Sequence, residues 1–243
     1  MSEALTEPSD LLRLTLEARG KNALGTPLMR QMLDQLREAG QRPILLMGAG
    51  DAFSAGLNLK EVASLDGSGM RSFLELLEGL VGALLAHPGP TVAAVNGHAI
   101  AGGCVLARAC DHAVATTNPR ARIGLNEIAI GLRFPPRTLR AMRHRIPPSR
   151  HPAVFLGAGL HRPDEALRLG LVDELADDCE AVALAHLARL AAHPRGAYAA
   201  AKAQLLEGVL DSRPGDLDAF MADVVPEWTS PAIKTRIRAI LGG

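Results

Sequence analysis

The stretch Ala101-Gly102-Gly103-Cys104-Val105-Leu106 offers this chain's most available backbone chemistry. It follows the apolar run Thr91-Val92-Ala93-Ala94-Val95 and a turn at Asn96-Gly97, and continues into Ala107-Arg108-Ala109-Cys110 without a helix breaker. That order reads as strand, turn and the first turn of a buried helix. The first N–H groups of a helix have no internal partner, and the helix dipole adds partial positive charge there. Glycines let a ligand approach those donors closely. Such a place suits an oxygen that gains negative charge in a reaction. The same small residues also fit a plain tight contact between helix and sheet, and the stretch alone leaves both readings open.

A second candidate is Glu127. It lies in Ile123-Gly124-Leu125-Asn126-Glu127-Ile128-Ala129-Ile130-Gly131-Leu132, which is apolar apart from Asn126 and Glu127. If buried in that company, a carboxylate is costly to ionise, so its pKa rises and it suits a general base or acid. The alternative is a surface glutamate beside a loop. In Phe53-Ser54-Ala55-Gly56-Leu57-Asn58-Leu59-Lys60-Glu61, small residues around Gly56 suggest close backbone approach, or a plain loop between strand and helix. His98 reads as a satisfied structural histidine. Asp111 follows the helix after the glycines, where an anion opposes the dipole, so a structural role with hydrogen bonds to loop backbone is expected. Arg133 faces either a pocket mouth or solvent. Trp228, the only tryptophan, suits packing or a subunit contact. Cys104, Cys110 and Cys179 form no metal-spaced set; two of them sit in apolar company, where free buried thiols are expected, and a reducing compartment and no metal site are expected.

These groups need elements to hold them. Leu12 to Glu17 alternates as a strand does, Pro27 to Glu38 is helical, and Pro43 to Met47 is a wholly apolar strand of the kind covered on both faces. Met70 to Leu84 follows helical spacing and stops near His87-Pro88. His112 to Thr116 reads as a strand, Leu139 to Arg145 as a short helix, and His151 to Leu156 as the start of another. Pro163 near the start and Gly170 at the end frame a helix, and Leu171 to Leu175 is expected as a short strand. From Cys179 the signal is helical, over 180–192, 196–210, about 214–224 and 230–241. Strands alternate with helices for about 175 residues before a helical tail, an α/β arrangement.

The 243 residues suit one domain of ordinary size, and 48% hydrophobic with 3% aromatic composition means an aliphatic core. Zero net charge, from 26 basic and 26 acidic side chains, gives no sign of nucleic-acid or membrane-surface binding. The polar, acidic stretch from Met1 to Pro8 resembles neither a signal nor a transit peptide, and no window reaches about 18 apolar residues. Ile240-Leu241-Gly242-Gly243 carries no peroxisomal Ser-Lys-Leu address. A cytoplasmic location is expected.

Phe53-Ser54-Ala55-Gly56-Leu57-Asn58-Leu59, Asn96-Gly97-His98-Ala99-Ile100-Ala101-Gly102-Gly103-Cys104, Cys110-Asp111 and Gly124-Leu125-Asn126-Glu127 together resemble the signature blocks of the crotonase (enoyl-CoA hydratase/isomerase) superfamily across about residues 10 to 175. The resemblance implies a spiral of ββα units over residues 1–190 and a C-terminal helical region, 191–243, that makes homotrimers or hexamers as dimers of trimers. It implies an acyl-CoA thioester substrate, with no cofactor beyond the coenzyme A of that substrate. Carried over, the backbone N–H groups of Leu57 and Gly102 hold the thioester oxygen. Ala55, Gly56, Lys60, Gly103 and Val105 fall where the family meets its substrate.

Hydratases of the family carry two glutamates. One matches Glu127; the other lies two residues after the paired glycines, where this chain has Val105. A single carboxylate resembles the Δ3-Δ2-enoyl-CoA isomerase branch, in which one base moves a proton from C2 to C4 through a dienolate and an apolar Val105 keeps water away. The alternatives are a hydratase or another enolate-forming acyl-CoA enzyme such as a hydrolase, and a non-catalytic acyl-CoA binder. Asn58 stands where the family more usually has Asp.

Overall fold

The computed structural model describes residues 7–211 and 215–242. The stretch before Glu7, residues 212–214 (where the third C-terminal helix was expected to begin) and Gly243 lie outside the described residues. The elements in order are β1 (Leu12–Leu16), the four-residue turn α1 (Arg19–Asn22), α2 (Thr26–Glu38), β2 (Ile44–Gly48), β3 (Ala52–Ser54), α3 (Leu59–Ser64), α4 (Gly67–Leu85), β4 (Thr91–Val95) and β5 (His98–Ile100). They continue with α5 (Gly102–Ala109), β6 (His112–Thr116), β7 (Ile123–Gly124), α6 (Glu127–Ile130), α7 (Pro136–Arg145), α8 (Pro163–Leu169), β8 (Glu174–Ala176), α9 (Cys179–Ala191), α10 (Arg195–Leu205), α11 (Asp216–Trp228) and α12 (Pro231–Gly242).

Among the described residues the strands form two parallel sheets. The larger is ordered β1-β2-β4-β6-β8 and the smaller β3-β5-β7. Each β2-β3, β4-β5 and β6-β7 pair gives one strand to each sheet before the chain enters a helix. The result is a spiral of ββα turns. Both faces of the large sheet are covered, which is why β2 is wholly apolar and β4 is apolar after Thr91. One core of Leu, Val, Ala and Met side chains lies between α2, α4, α5 and the sheet, and a smaller one sits between the sheet and α9.

Two expectations change, and one is refined. Leu171 and Val172 are not strand: Leu171 N–H bonds Ala166 O at 2.9 Å and Gly170 N–H bonds Leu167 O at 3.0 Å, the αL closure of α8 around Gly170. Leu171 is apolar because that closure buries it, and the strand begins at Glu174. His151 to Leu156 is helical as expected, but in a wider winding than α: a 3₁₀ turn (Pro148–Arg150) leads into a π-type turn (Pro152–Leu156). The turns at 48–51 and 96–97 are each followed by a strand, β3 and β5, too short to show a period of two.

No helix among the described residues is long and apolar enough to cross a membrane. The C-terminal helices fold back onto their own chain: α11 lies on α4 and α7, and α12 on α3 and α6.

Candidate active site

The three strands of the small sheet end side by side, with Ser54 beside Ala99 and Ile100 beside Gly124. The chain leaves each in the same direction. Ala55-Gly56-Leu57 follows β3, Ala101-Gly102 follows β5, and Leu125-Asn126-Glu127 follows β7. The spiral therefore brings three distant sequence blocks to one edge. They border a cavity of about 270 Å³, walled by Leu57, Val105, Ile130, Leu132, Trp228 and Ile240 among others.

The two glycine blocks touch. Gly56 adopts φ +86°, and a Cβ there would lie 2.7 Å from Ile100 O, with Gly102 N at 3.5 Å. Both facts require glycine. Leu24 pairs in parallel with Leu57: Leu24 N–H donates to Gly56 O at 2.7 Å and Asn58 N–H to Leu24 O at 3.0 Å. In a parallel ladder a residue bonds the two neighbours of its partner, so the amide of Leu57 itself is turned away from Leu24. The Gly102 amide is the first of α5 and has no acceptor inside the helix.

Ala101 sets the angle between them. It sits at φ +47°, ψ −118°, a conformation an L side chain rarely adopts. Its N–H donates to Gly124 O at 2.8 Å, and its O receives Val105 N–H at 2.9 Å. The surroundings hold a conformation that costs on the order of 1–3 kcal/mol. Strain of this kind clusters at functional sites, and here it aims the start of α5.

Glu127 opens the one-turn helix α6, which closes through Gly131 at φ +85° with Leu132 N–H on Glu127 O at 2.9 Å. The side chain is 9% exposed, and its Oε2 is buried without a hydrogen-bond partner among the described residues. Burial pushes the carboxyl up to about 8. The neighbouring Asn126 Oδ1 is likewise buried and unpartnered, and also borders the cavity. Glu127 is the sole carboxylate among the described residues that line it, and Val105 is buried in its wall.

Ala55, Leu57, Gly102, Val105 and Glu127 all line the cavity. Gly56 is the packing contact between the two loops. Gly103 serves close packing, since a Cβ there would meet Ser54 O at 2.5 Å. Lys60 is exposed on the first turn of α3 and does not line the cavity. Asn58 caps α3, its Oδ1 accepting Glu61 N–H. His98 Nδ1 accepts Arg122 N–H at 3.1 Å, the structural role expected of it. Arg133 borders the cavity and is tied to Glu227 at 2.7 Å. All three cysteines are free and buried; Cys104 lies beneath the site, and burial pushes its thiol up to about 12, so it is inert.

Sequence reasoning missed Leu77, Thr138 and Ile240 as cavity residues and read Trp228 as packing or a subunit contact. Leu77, Trp228 and Ile240 carry an ordinary apolar signal in their helices and Thr138 an ordinary polar one, and nothing local marks the far wall of a cavity.

Asp111 is structural, through far more than loop backbone. It accepts Thr91 N–H at 2.9 Å, Tyr198 O–H at 2.9 Å, Lys202 Nζ at 2.8 Å and Arg145 Nη2 at 3.2 Å. Burial alone would raise this carboxyl, but Lys202 and Arg145 overcome that and hold it below the usual aspartate range.

A family model for enoyl-CoA hydratase/isomerase matches residues 6–220. The chain is 32% identical over 188 residues to "Probable enoyl-CoA hydratase echA17" of Mycobacterium avium (strain 104), covering 75% of this chain and 72% of that one. Among solved structures, human mitochondrial delta3-delta2-enoyl-CoA isomerase superposes with a TM-score of 0.89 at 25% identity, covering 97% of this chain and 95% of the other. An enoyl-CoA hydratase from Bacillus halodurans superposes with a TM-score of 0.83 at 25% identity, covering 96% and 97%.

Proposed function

The chain belongs to the enoyl-CoA hydratase/isomerase family, and from that premise we propose that it moves the double bond of a 3-enoyl-CoA thioester to the 2-position, with Glu127 as the single proton shuttle. The observation that carries this is the cavity lining: one carboxylate, Glu127, with the apolar Val105 where a second would stand.

The steps balance with that one group. The Glu127 carboxylate takes a proton from C2. The C–H electron pair moves into the C1–C2 bond, and the thioester oxygen gains negative charge. The Leu57 and Gly102 amides donate to that oxygen; one such donor is worth about 3 kcal/mol in comparable sites. The protonated Glu127 then returns its proton to C4, and the double bond settles between C2 and C3. A carboxyl raised to about 8 is a stronger base than an ordinary glutamate, closer in proton affinity to the carbon it must deprotonate. Apolar walls keep water from the dienolate.

A second reading, hydration of a 2-enoyl-CoA, is favoured by the name of the relative at 32% identity. It would need Glu127 to hold and activate water unaided. Hydrolysis of the thioester makes the same demand. A non-catalytic acyl-CoA binder is disfavoured by the raised Glu127, since a binder gains nothing from burying an unpartnered carboxyl. The proposal includes coenzyme A contacts along Ala55 to Leu57 and at Lys60, no further cofactor, and assembly as a homotrimer or dimer of trimers.

Offering the purified protein a 3-enoyl-CoA and crotonyl-CoA in separate assays tests the reading. Rapid formation of the 2-enoyl thioester with negligible water addition to crotonyl-CoA is expected. Efficient hydration of crotonyl-CoA would sink the isomerase reading in favour of the hydratase.

A further inference from the structure

Away from the cavity, three metal-ligating side chains meet. His112 begins β6, Glu174 begins β8 and His186 lies midway along α9. β6 pairs with β8, Val114 beside Glu174, and α9 packs on Val114 through Ala183 and Leu187. Rigid elements thus deliver all three. Glu174 Oε2 lies 2.5 Å from His186 Nε2 and 3.5 Å from His112 Nε2, and one donor atom of each residue falls within 4.8 Å of the others. His112 Nε2 is buried without a hydrogen-bond partner among the described residues.

We propose that His112, Glu174 and His186 form a binding site for a divalent transition metal of the zinc type. Two imidazole nitrogens and one carboxylate oxygen suit Zn²⁺ or Co²⁺ rather than Ca²⁺ or Mg²⁺, which take oxygen ligands. Three protein ligands leave one position open. A second cavity, of about 340 Å³ and bordered by His112 and His186, gives the ion access to it. Behind His112, Asp173 Oδ2 lies 3.9 Å from Nδ1, placed as the outer carboxylate that commonly orients a ligating histidine.

Loading asks for two local movements. The rings of His112 and His186 stack at 4.0 Å, and His112 must turn out of the stack to reach about 2.0–2.1 Å from the ion. Arg189, an exposed side chain, donates to His186 Nδ1, so that nitrogen carries no proton and Nε2–H faces Glu174. An ion on Nε2 moves the proton to Nδ1 and displaces Arg189. None of the three ligands borders the thioester cavity, so the site ties β6, β8 and α9 together and is independent of the double-bond chemistry.

The test uses full-length protein without a histidine tag, stripped with chelator. Co²⁺ is titrated with visible absorption and Zn²⁺ with calorimetry, and Tm is read with and without Zn²⁺. One ion per chain and an upward shift in Tm are expected. His112→Ala and His186→Ala, checked for fold by circular dichroism, each weaken binding at least about 10-fold, in line with the losses seen at metal-supporting residues. His144→Ala, in the same cavity but outside the triad, leaves binding intact, and Arg189→Ala strengthens it. No stoichiometric uptake by the wild type, or uptake that survives loss of either ligating histidine, overturns the proposal.

Discussion

A carboxyl buried without a partner sets catalysis against folding at Glu127. Its pKa near 8 in the fold, against an ordinary 4.5, means the folded protein favours the protonated form. The stability this lends is fully present below about 4.5 and is lost as pH rises toward 8, because only the unfolded chain ionises freely in that window. Glu127→Gln removes the effect. Its Tm is expected to lie near the wild type's at pH 5 and above it at pH 8; a constant gap across that range would contradict the burial argument. Val105→Glu restores the position of a second carboxylate. It is expected to gain measurable hydration of crotonyl-CoA while losing stability, since an additional buried charge is costly. Denaturant melts beside a hydration assay check both halves.

Among the elements, α5 carries the most function for its length. Its first amide borders the cavity, and its far end is fixed by Arg108 on Asp173 at 2.6 Å and by the Asp111 network just beyond. Asp111→Ala leaves Lys202 buried and uncompensated, so a loss of about 3–5 kcal/mol in urea unfolding is expected. A change below about 1 kcal/mol would show the network to be dispensable. Helices α2 and α4 were legible in sequence because a long apolar stripe survives local noise. β3, β5 and β7 were not legible, having three residues or fewer. Leu171-Val172 misled because a buried helix closure and a short strand both demand apolar residues. The metal-ligating triad was invisible for a related reason: its members lie on three separate elements, with no short spacing to mark them.

At the scale of the molecule, the spiral turns local hints into a site. Gly56, Gly102 and Glu127 were each readable as residues able to do chemistry, and family resemblance joined them. Only the topology explains their meeting, since each follows a strand of the same three-stranded sheet. The far wall, built by Trp228 and Ile240 of the C-terminal helices, depends on how the tail folds back, which residue pattern alone does not encode. Leu156 and Leu205 are more than 70% exposed, apolar surface that assembly would cover. Light scattering is expected to give three or six times the 25.6 kDa chain mass. A monomer at micromolar concentration would contradict the proposed trimer.

The measurement that bears most directly on the site is the rate of 3-enoyl-CoA isomerisation by wild type and Glu127→Gln, with acyl-CoA binding measured in parallel. A single shuttle requires the variant to lose about 10²–10⁴-fold in kcat while still binding the thioester. A variant that isomerises at close to the wild-type rate would show that another group moves the proton.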